Sequence, residues 1–193
     1  MRVLAFSDVH CDVGAVEALV AAAGEVDAVA GVGDFASVHE GLVETVAPLR
    51  GVEVPVVLVP GNNETEDALR AAVAGWDGVT VLHGSGTEIG GVWFYGIGGG
   101  IPTTPWEWSF DLTEEEAEAK LADLPDGAVL LSHSPPKGHV DKGLGSVAVA
   151  AAAERTGARA VLCGHIHEMW TQESRIGDTL VRNLGPDGYV LEV

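Results

Sequence analysis

Apolar residues come in short runs that end abruptly in polar or glycine residues, with longer stretches of helical spacing between them. Val3, Leu4, Ala5 and Phe6 run straight into Ser7 and Asp8, and residues 13–23 then repeat with helical spacing up to Gly24. Residues 27–32 read as a second buried strand and 37–50 as a helix. Residues 54–59 read as a third, β-branched strand between Gly51 and Pro60-Gly61, and 65–74 as a helix. Strands and helices alternating at this interval predict a parallel sheet covered by helices.

Beyond residue 80 the pattern changes. Residues 80–83, 87–89 and 92–95 read as short strands separated by glycine turns, closer to an antiparallel meander, and 96–105 as a loop rich in Gly and Pro. Thr113 followed three residues later by Glu116 forms a capping box that opens a helix to about residue 124. Residues 128–131 and 160–163 read as strands around an Ala-rich helix over 146–156. Residues 169–174, 179–183 and 189–192 read as antiparallel strands joined by turns at Gly177 and at Gly185 to Gly188. With no repeat or linker, the chain reads as one α/β domain over residues 1–193, built on a mixed sheet or on two packed sheets.

Composition narrows the function. The 193 residues carry 10 Lys+Arg against 29 Asp+Glu, a formal net charge of -19, yet 47% of them are hydrophobic. Disordered acidic chains combine high charge with low hydrophobicity, so this one is expected to fold. So few cations argue against long nucleic acid or an anionic membrane as partner, because both require Lys and Arg to replace counterions. The acidic residues are spread along the chain and only three residues are Lys, a composition that also suits a high-salt, halophilic host. The longest Ala/Val run, residues 147–153, is too short to span a bilayer, and no secretion signal follows Met1. Cys11 and Cys163 are then expected as reduced thiols in a cytoplasmic protein.

The chemistry lies where the strands end. The first runs into Asp8 and His10, the second into Gly33-Asp34, and the third into Gly61, Asn62, Asn63 and Glu64. The strand over 128–131 runs into Ser132-His133, and that over 160–163 into Gly164, His165 and His167. In open α/β sheets ligands bind beyond the carboxyl ends of the strands, so five such loops can converge on one point. Each block alone is weak, but four of the seven histidines fall just past apolar runs. Carboxylate, amide and imidazole donors without thiolate suit Mn, Fe, Zn and similar divalent ions, and seven donors suit two ions sharing a carboxylate.

These five collinear blocks, over residues 8–167, resemble the signature of the calcineurin-like metallophosphoesterase superfamily, D-x-H, G-D, G-N-H-[DE], H and G-H-x-H. The short chain resembles small bacterial and archaeal members of phosphodiesterase type. The resemblance implies a four-layer αββα sandwich, two mixed β-sheets flanked by helices. It implies one metal on Asp8, His10 and His167, a second on Asn62, His133 and His165, and Asp34 bridging both. The ions would be divalent, with manganese expected and iron, zinc, nickel or cobalt compatible. The implied activity is hydrolysis of a small phosphate ester through a metal-bridging hydroxide that attacks phosphorus. A homodimer is compatible with family members of this size.

One position departs from the signature. Asn63 stands where the family has a histidine that contacts phosphate and assists the leaving oxygen. Asn can hydrogen-bond a phosphoryl oxygen but cannot protonate an alkoxide, and general acid catalysis contributes about 10² to 10⁴ in rate. The expectation is a phosphodiesterase for esters with good leaving groups, with Asp34 and Asn63 as catalytic residues and Asn63 touching substrate. The alternative is a weakly active or inactive scaffold with this fold. Glu64 is expected to brace the second metal's loop, while Trp106, Trp108 and Phe110 either stack a nucleobase or plug the core or a dimer interface. His139 could substitute as an acid and Lys137 could meet phosphate, or both are plain loop residues.

Overall fold

The computed structural model describes residues 1–193. The first sheet takes β1 (Arg2–Phe6), β2 (Ala28–Val32), β3 (Val56–Val59) and β4 (Val79–Val81), all parallel, with the C-terminal β11 (Tyr189–Glu192) antiparallel to β1. The second takes β5 (Ser85–Ile89), β6 (Val92–Ile97), β7 (Val129–Ser132), β8 (Ala160–Cys163), β9 (Glu173–Ile176) and β10 (Thr179–Asn183), in the order β5-β6-β7-β8-β10-β9. There β6, β7, β8 and β10 run parallel, and the edge strands β5 and β9 antiparallel. Helices α1 (Val13–Ala22), α2 (Leu42–Val46) and α3 (Glu66–Ala72) are joined by α4 (Glu114–Leu121) and α5 (Val147–Thr156).

Side-chain alternation along the strands accounts for the layers. Val3 and Ala5, Ala28, Ala30 and Val32, Val57 and Val59 meet Phe94, Val129, Leu131 and Leu162 in a core between the two sheets. Their neighbours Leu4, Phe6, Val29 and Leu58 point the other way, against Val16, Leu19, Leu42 and Leu69 of α1, α2 and α3. Tyr95, Leu130 and Val161 pack on Ala117, Leu121, Val149 and Ala153 of α4 and α5. A strand buried on both faces reads as a continuous apolar run, which is why the central strands are plain in the sequence. The result is the expected αββα sandwich.

Local expectations fail where distant groups compete for the backbone. Residues 37–50 are a helix only over Leu42–Val46, followed by a 3₁₀ stretch at Ala47–Gly51 that contains Pro48. Before it the chain turns sharply, with Ser37 bridged to Glu40, because Asn63 takes the Val38 and His39 amides that a helix would use. The strand expected over 80–83 is β4, and it pairs parallel with β3 rather than entering a meander. Antiparallel pairing is therefore confined there to β5 with β6. At the C-terminus, the start of 169–174 is a 3₁₀ turn, and β11 leaves the other two strands to join the first sheet. No helix is long and apolar enough to cross a membrane.

Candidate metal centre

The parallel strands β1, β2 and β3 of one sheet and β7 and β8 of the other end at the same edge of the sandwich, and each delivers its motif there. One potential ligand atom from each of Asp8, His10, Asp34 and His167 lies within 4.8 Å of the others, and Asp34, His133 and His165 make a second such group. Asp34 belongs to both. Asn62 Oδ1 joins the second, 3.3 Å from His133 Nε2 and 3.0 Å from His165 Nδ1. All seven residues expected as ligands are thus brought together.

The backbone is strained to achieve this. Asp8, His10, Asp34 and His165 have φ of 56°, 41°, 57° and 67°, the left-handed region that costs a non-glycine residue about 1–3 kcal/mol. Such strain persists only where surrounding contacts impose it. Gly61 is required for a related reason, since a Cβ there would collide with the Asp34 carboxylate.

Most of the donors are held by a partner outside the two groups. Asp8 Oδ2 accepts from Ser7 Oγ (2.6 Å) and Trp170 Nε1 (3.2 Å), and the Trp170 ring lies against His167 with centroids 4.5 Å apart. His133 Nδ1 meets the Val32 carbonyl at 2.9 Å and His10 Nδ1 the Ala36 carbonyl at 3.3 Å. A carbonyl only accepts, so each Nδ1 carries a hydrogen and each Nε2 faces the centre. Asn62 Nδ2 donates to Ser109 Oγ (3.0 Å), and that hydroxyl donates to Asp111 Oδ1 (2.6 Å), which turns Asn62 Oδ1 inward. Trp170, Ser109 and Asp111 carry no motif in the sequence; only Ser7, adjacent to Asp8, had a local signal.

Glu64 and Asn63 tie the loops after β2 and β3 together. Fully buried Glu64 accepts from the backbone amides of Gly61 (2.6 Å), Asp34 (2.9 Å) and Ala36 (2.9 Å). Asn63 donates to Asp34 twice, from its backbone to Oδ1 (2.9 Å) and from its side chain to Oδ2 (2.8 Å). Its Oδ1 accepts from the Val38 amide (2.8 Å), leaving one amide hydrogen without a protein acceptor.

The electrostatics favour cations. Burial disfavours charge on Asp34 and on His133, but at 3.3 Å each charge stabilises the other. The Asp34 carboxyl is held well below its usual range and His133 is raised to about 10. Burial, with the His133 charge behind it, lowers His165 to about 4, leaving a neutral donor. Burial and then the Asp34 charge push Glu64 up to about 7. His10 Nε2 and His167 Nε2 face each other at 3.1 Å, a contact that a proton or cation resolves. Carboxylate, amide oxygen and imidazole converging in two groups with one shared carboxylate fit a pair of divalent ions.

A cleft of about 550 Å³ opens on the centre, lined by His10, Asp34, Asn62, Asn63, His165 and His167 and also by Trp106, Trp108 and Leu144. No Lys or Arg lines it, and Glu168 does. Lys137 donates instead to the Gly143 carbonyl, and His139 Nδ1 lies 3.1 Å from Ser174 Oγ, so both are loop residues. Buried His83 accepts from the Gly98 amide, burial and then Lys120 lowering it to about 4. Cys11 and Cys163 are free thiols outside both donor groups. His39, which has no motif around it in the sequence, reaches the Trp108 carbonyl at 2.6 Å.

Comparison with known proteins agrees with this architecture. The chain is similar to the TT1561 protein of Thermus thermophilus, with TM-score 0.77 and 22% identity over 96% of this chain and 90% of that one. It is similar to a dimetal phosphatase from Danio rerio, with TM-score 0.68 and 12% identity over 96% and 88%. A third likeness is to the phosphopantetheinyl hydrolase of Mycobacterium tuberculosis, with TM-score 0.62 and 16% identity over 96% and 90%. These likenesses show the fold. No curated protein matches the sequence. The family model for the calcineurin-like phosphoesterase superfamily domain matches residues 1–190, nearly the whole chain. With the sandwich, the five strand-end motifs and the paired donor groups in place, the chain belongs to the calcineurin-like phosphoesterase superfamily.

Proposed function

We propose that the protein is a two-metal phosphodiesterase acting on small esters with good leaving groups. The observation that carries this reading is the shared carboxylate of Asp34, common to both donor groups and lining the open cleft. Asp8, His10 and His167 would hold one ion and Asn62, His133 and His165 the other, with Asp34 between them. Manganese is the ion proposed, since oxygen and imidazole donors without thiolate accept it. A pair of divalent ions held there supplies an activated water near neutral pH and draws charge from the phosphoryl oxygens.

The chain's own residues set the substrate class. Asn63 fixes Asp34 through two hydrogen bonds and keeps one amide hydrogen for a phosphoryl oxygen. It has no proton to give a departing alkoxide. His39 offers none either, since its Nε2 is turned to the Trp108 carbonyl. With neither Asn63 nor His39 as the acid, a leaving group departs with less help, which favours aryl and other activated esters. A cleft without Lys or Arg does not suit a long polyanion.

The test compares bis(p-nitrophenyl) phosphate with p-nitrophenyl phosphate on Mn²⁺-loaded protein. Faster turnover of the diester, abolished by a chelator and restored by Mn²⁺, is expected. Absence of turnover with two ions bound would favour the scaffold reading. Asn63→His tests the leaving-group argument directly. Restoring an acid is expected to raise the rate on alkyl esters relative to aryl esters by about tenfold or more. It also removes the acceptor of the Val38 amide, at about 1 kcal/mol, because Val38 is exposed and water can take the amide. An unchanged alkyl-to-aryl ratio in a folded variant would refute the assignment of Asn63.

A further inference from the structure

Trp106 is a side chain that folding does not account for. It is 51% exposed, so it neither plugs a core nor completes one. It lines the same cleft as His10, Asp34 and His167, and it stacks on Trp108, ring centroids 5.6 Å apart and planes 12° apart. The segment is fixed rather than slack. Ser109 donates its backbone N–H to the Trp106 carbonyl, Asp111 accepts from the backbone and hydroxyl of Thr104, and His39 holds the Trp108 carbonyl. The same Asp111 receives the Ser109 hydroxyl that orients Asn62, so one carboxylate sets both the indole pair and a metal-facing oxygen. A large apolar ring held in place yet open to solvent has already lost the freedom that binding would otherwise remove.

We infer that Trp106 is the stacking platform for the organic part of the substrate, and that this part is a nucleoside whose phosphate sits at the metal-facing wall. The inference deepens the phosphodiesterase reading and rests on it. An indole backed by a second, nearly parallel one offers a flat face, matched by a flat base. A quaternary ammonium group is instead recognised by several rings set at angles around it. Leu144, 62% exposed on the same cleft, adds an apolar surface next to the base. A base has two π-faces and its stacking tolerates sequence, so the platform selects nucleosides as a class rather than one base.

Binding can be measured without turnover. Isothermal titration of the Mn²⁺-loaded protein with adenosine 5′-monophosphate, ribose 5-phosphate and phosphocholine separates the base, the sugar phosphate and the cation. The nucleotide is expected to bind about 10- to 100-fold more tightly than ribose 5-phosphate. That preference should collapse toward one in Trp106→Ala and largely survive in Trp106→Phe, which keeps an aromatic face. Equal affinities in the wild type would overturn the proposal, as would a preference undiminished in Trp106→Ala. Tighter binding of phosphocholine would replace the base by a cation. Failure of the phosphodiesterase reading looks different: nucleotide binds with the expected preference, but no ester is hydrolysed.

Discussion

Replacing Asp34 by Asn is expected to lower diester hydrolysis by at least about 10³-fold and to reduce bound metal below two equivalents per chain. The charge lost is the one that both donor groups share, and two cations held close together without it repel each other. Charge stabilisation by a metal pair contributes several kcal/mol, and each 1.36 kcal/mol is a factor of ten in rate. Geometry adds to the loss. Asp34 Oδ1 and Oδ2 both accept from Asn63, at 2.9 and 2.8 Å, so an amide NH₂ placed on either side meets a donor. Asp34→Ala avoids that conflict and should lose metal and activity as well. Rates measured beside metal content by elemental analysis decide the matter. A variant that keeps two equivalents and works within tenfold of wild type would remove Asp34 from the centre.

Glu64→Ala is expected to produce the largest loss of stability of any single carboxylate truncation. Its two oxygens satisfy three backbone amides in a site closed to water, and those amides belong to Gly61, Asp34 and Ala36 on two different loops. A buried donor left without an acceptor costs about 1–3 kcal/mol, so the three together cost about 3–9 kcal/mol. For a chain of this length that is a fall in Tm of about 10 °C or more. Glu64→Gln should fall between, because one end of the amide still accepts. Glu114 gives the comparison. It also takes three hydrogen bonds, from Val147, Ala148 and Ser146 at the start of α5, but it is only half-buried and water can replace it. Glu114→Ala should cost about 1 kcal/mol, as loss of a helix cap does. Thermal unfolding of the three variants checks the order, and a Glu64→Ala Tm within about 3 °C of wild type would contradict it.

The two loops that Glu64 joins show how far local pattern reaches. Apolar runs buried on both faces are continuous in the sequence, and parallel strands end at a common edge. Asp8, His10, Asp34, Asn62, His133, His165 and His167 can therefore be placed together from the sequence alone, because each follows such a run within a few residues. The αββα layering is legible for the same reason, with the motif resemblance supplying the second sheet. Which sheet a short strand joins is not legible. β4 and β11 each obey a pairing chosen by the whole core, and their own few residues do not distinguish parallel from antiparallel neighbours.

The supports of the centre are hidden for a related reason. Trp170 reaches Asp8 across 162 positions, Ser109 reaches Asn62 across 47 and His39 reaches Trp108 across 69. A hydrogen bond over such a separation leaves no periodicity in either segment. Asn63 is the sharpest case. The sequence marks it as a substitution within a phosphoesterase motif, while the tertiary structure shows its amide engaged with Asp34 and Val38. Sequence determined which residues gather at the strand ends, because burial and alternation are local. The motif resemblance also named Asp34 as the shared carboxylate, and the two donor groups both contain it. Only the folded chain decided how the imidazoles are turned and where the exposed indoles stand, because each of those is set by groups brought together from distant segments.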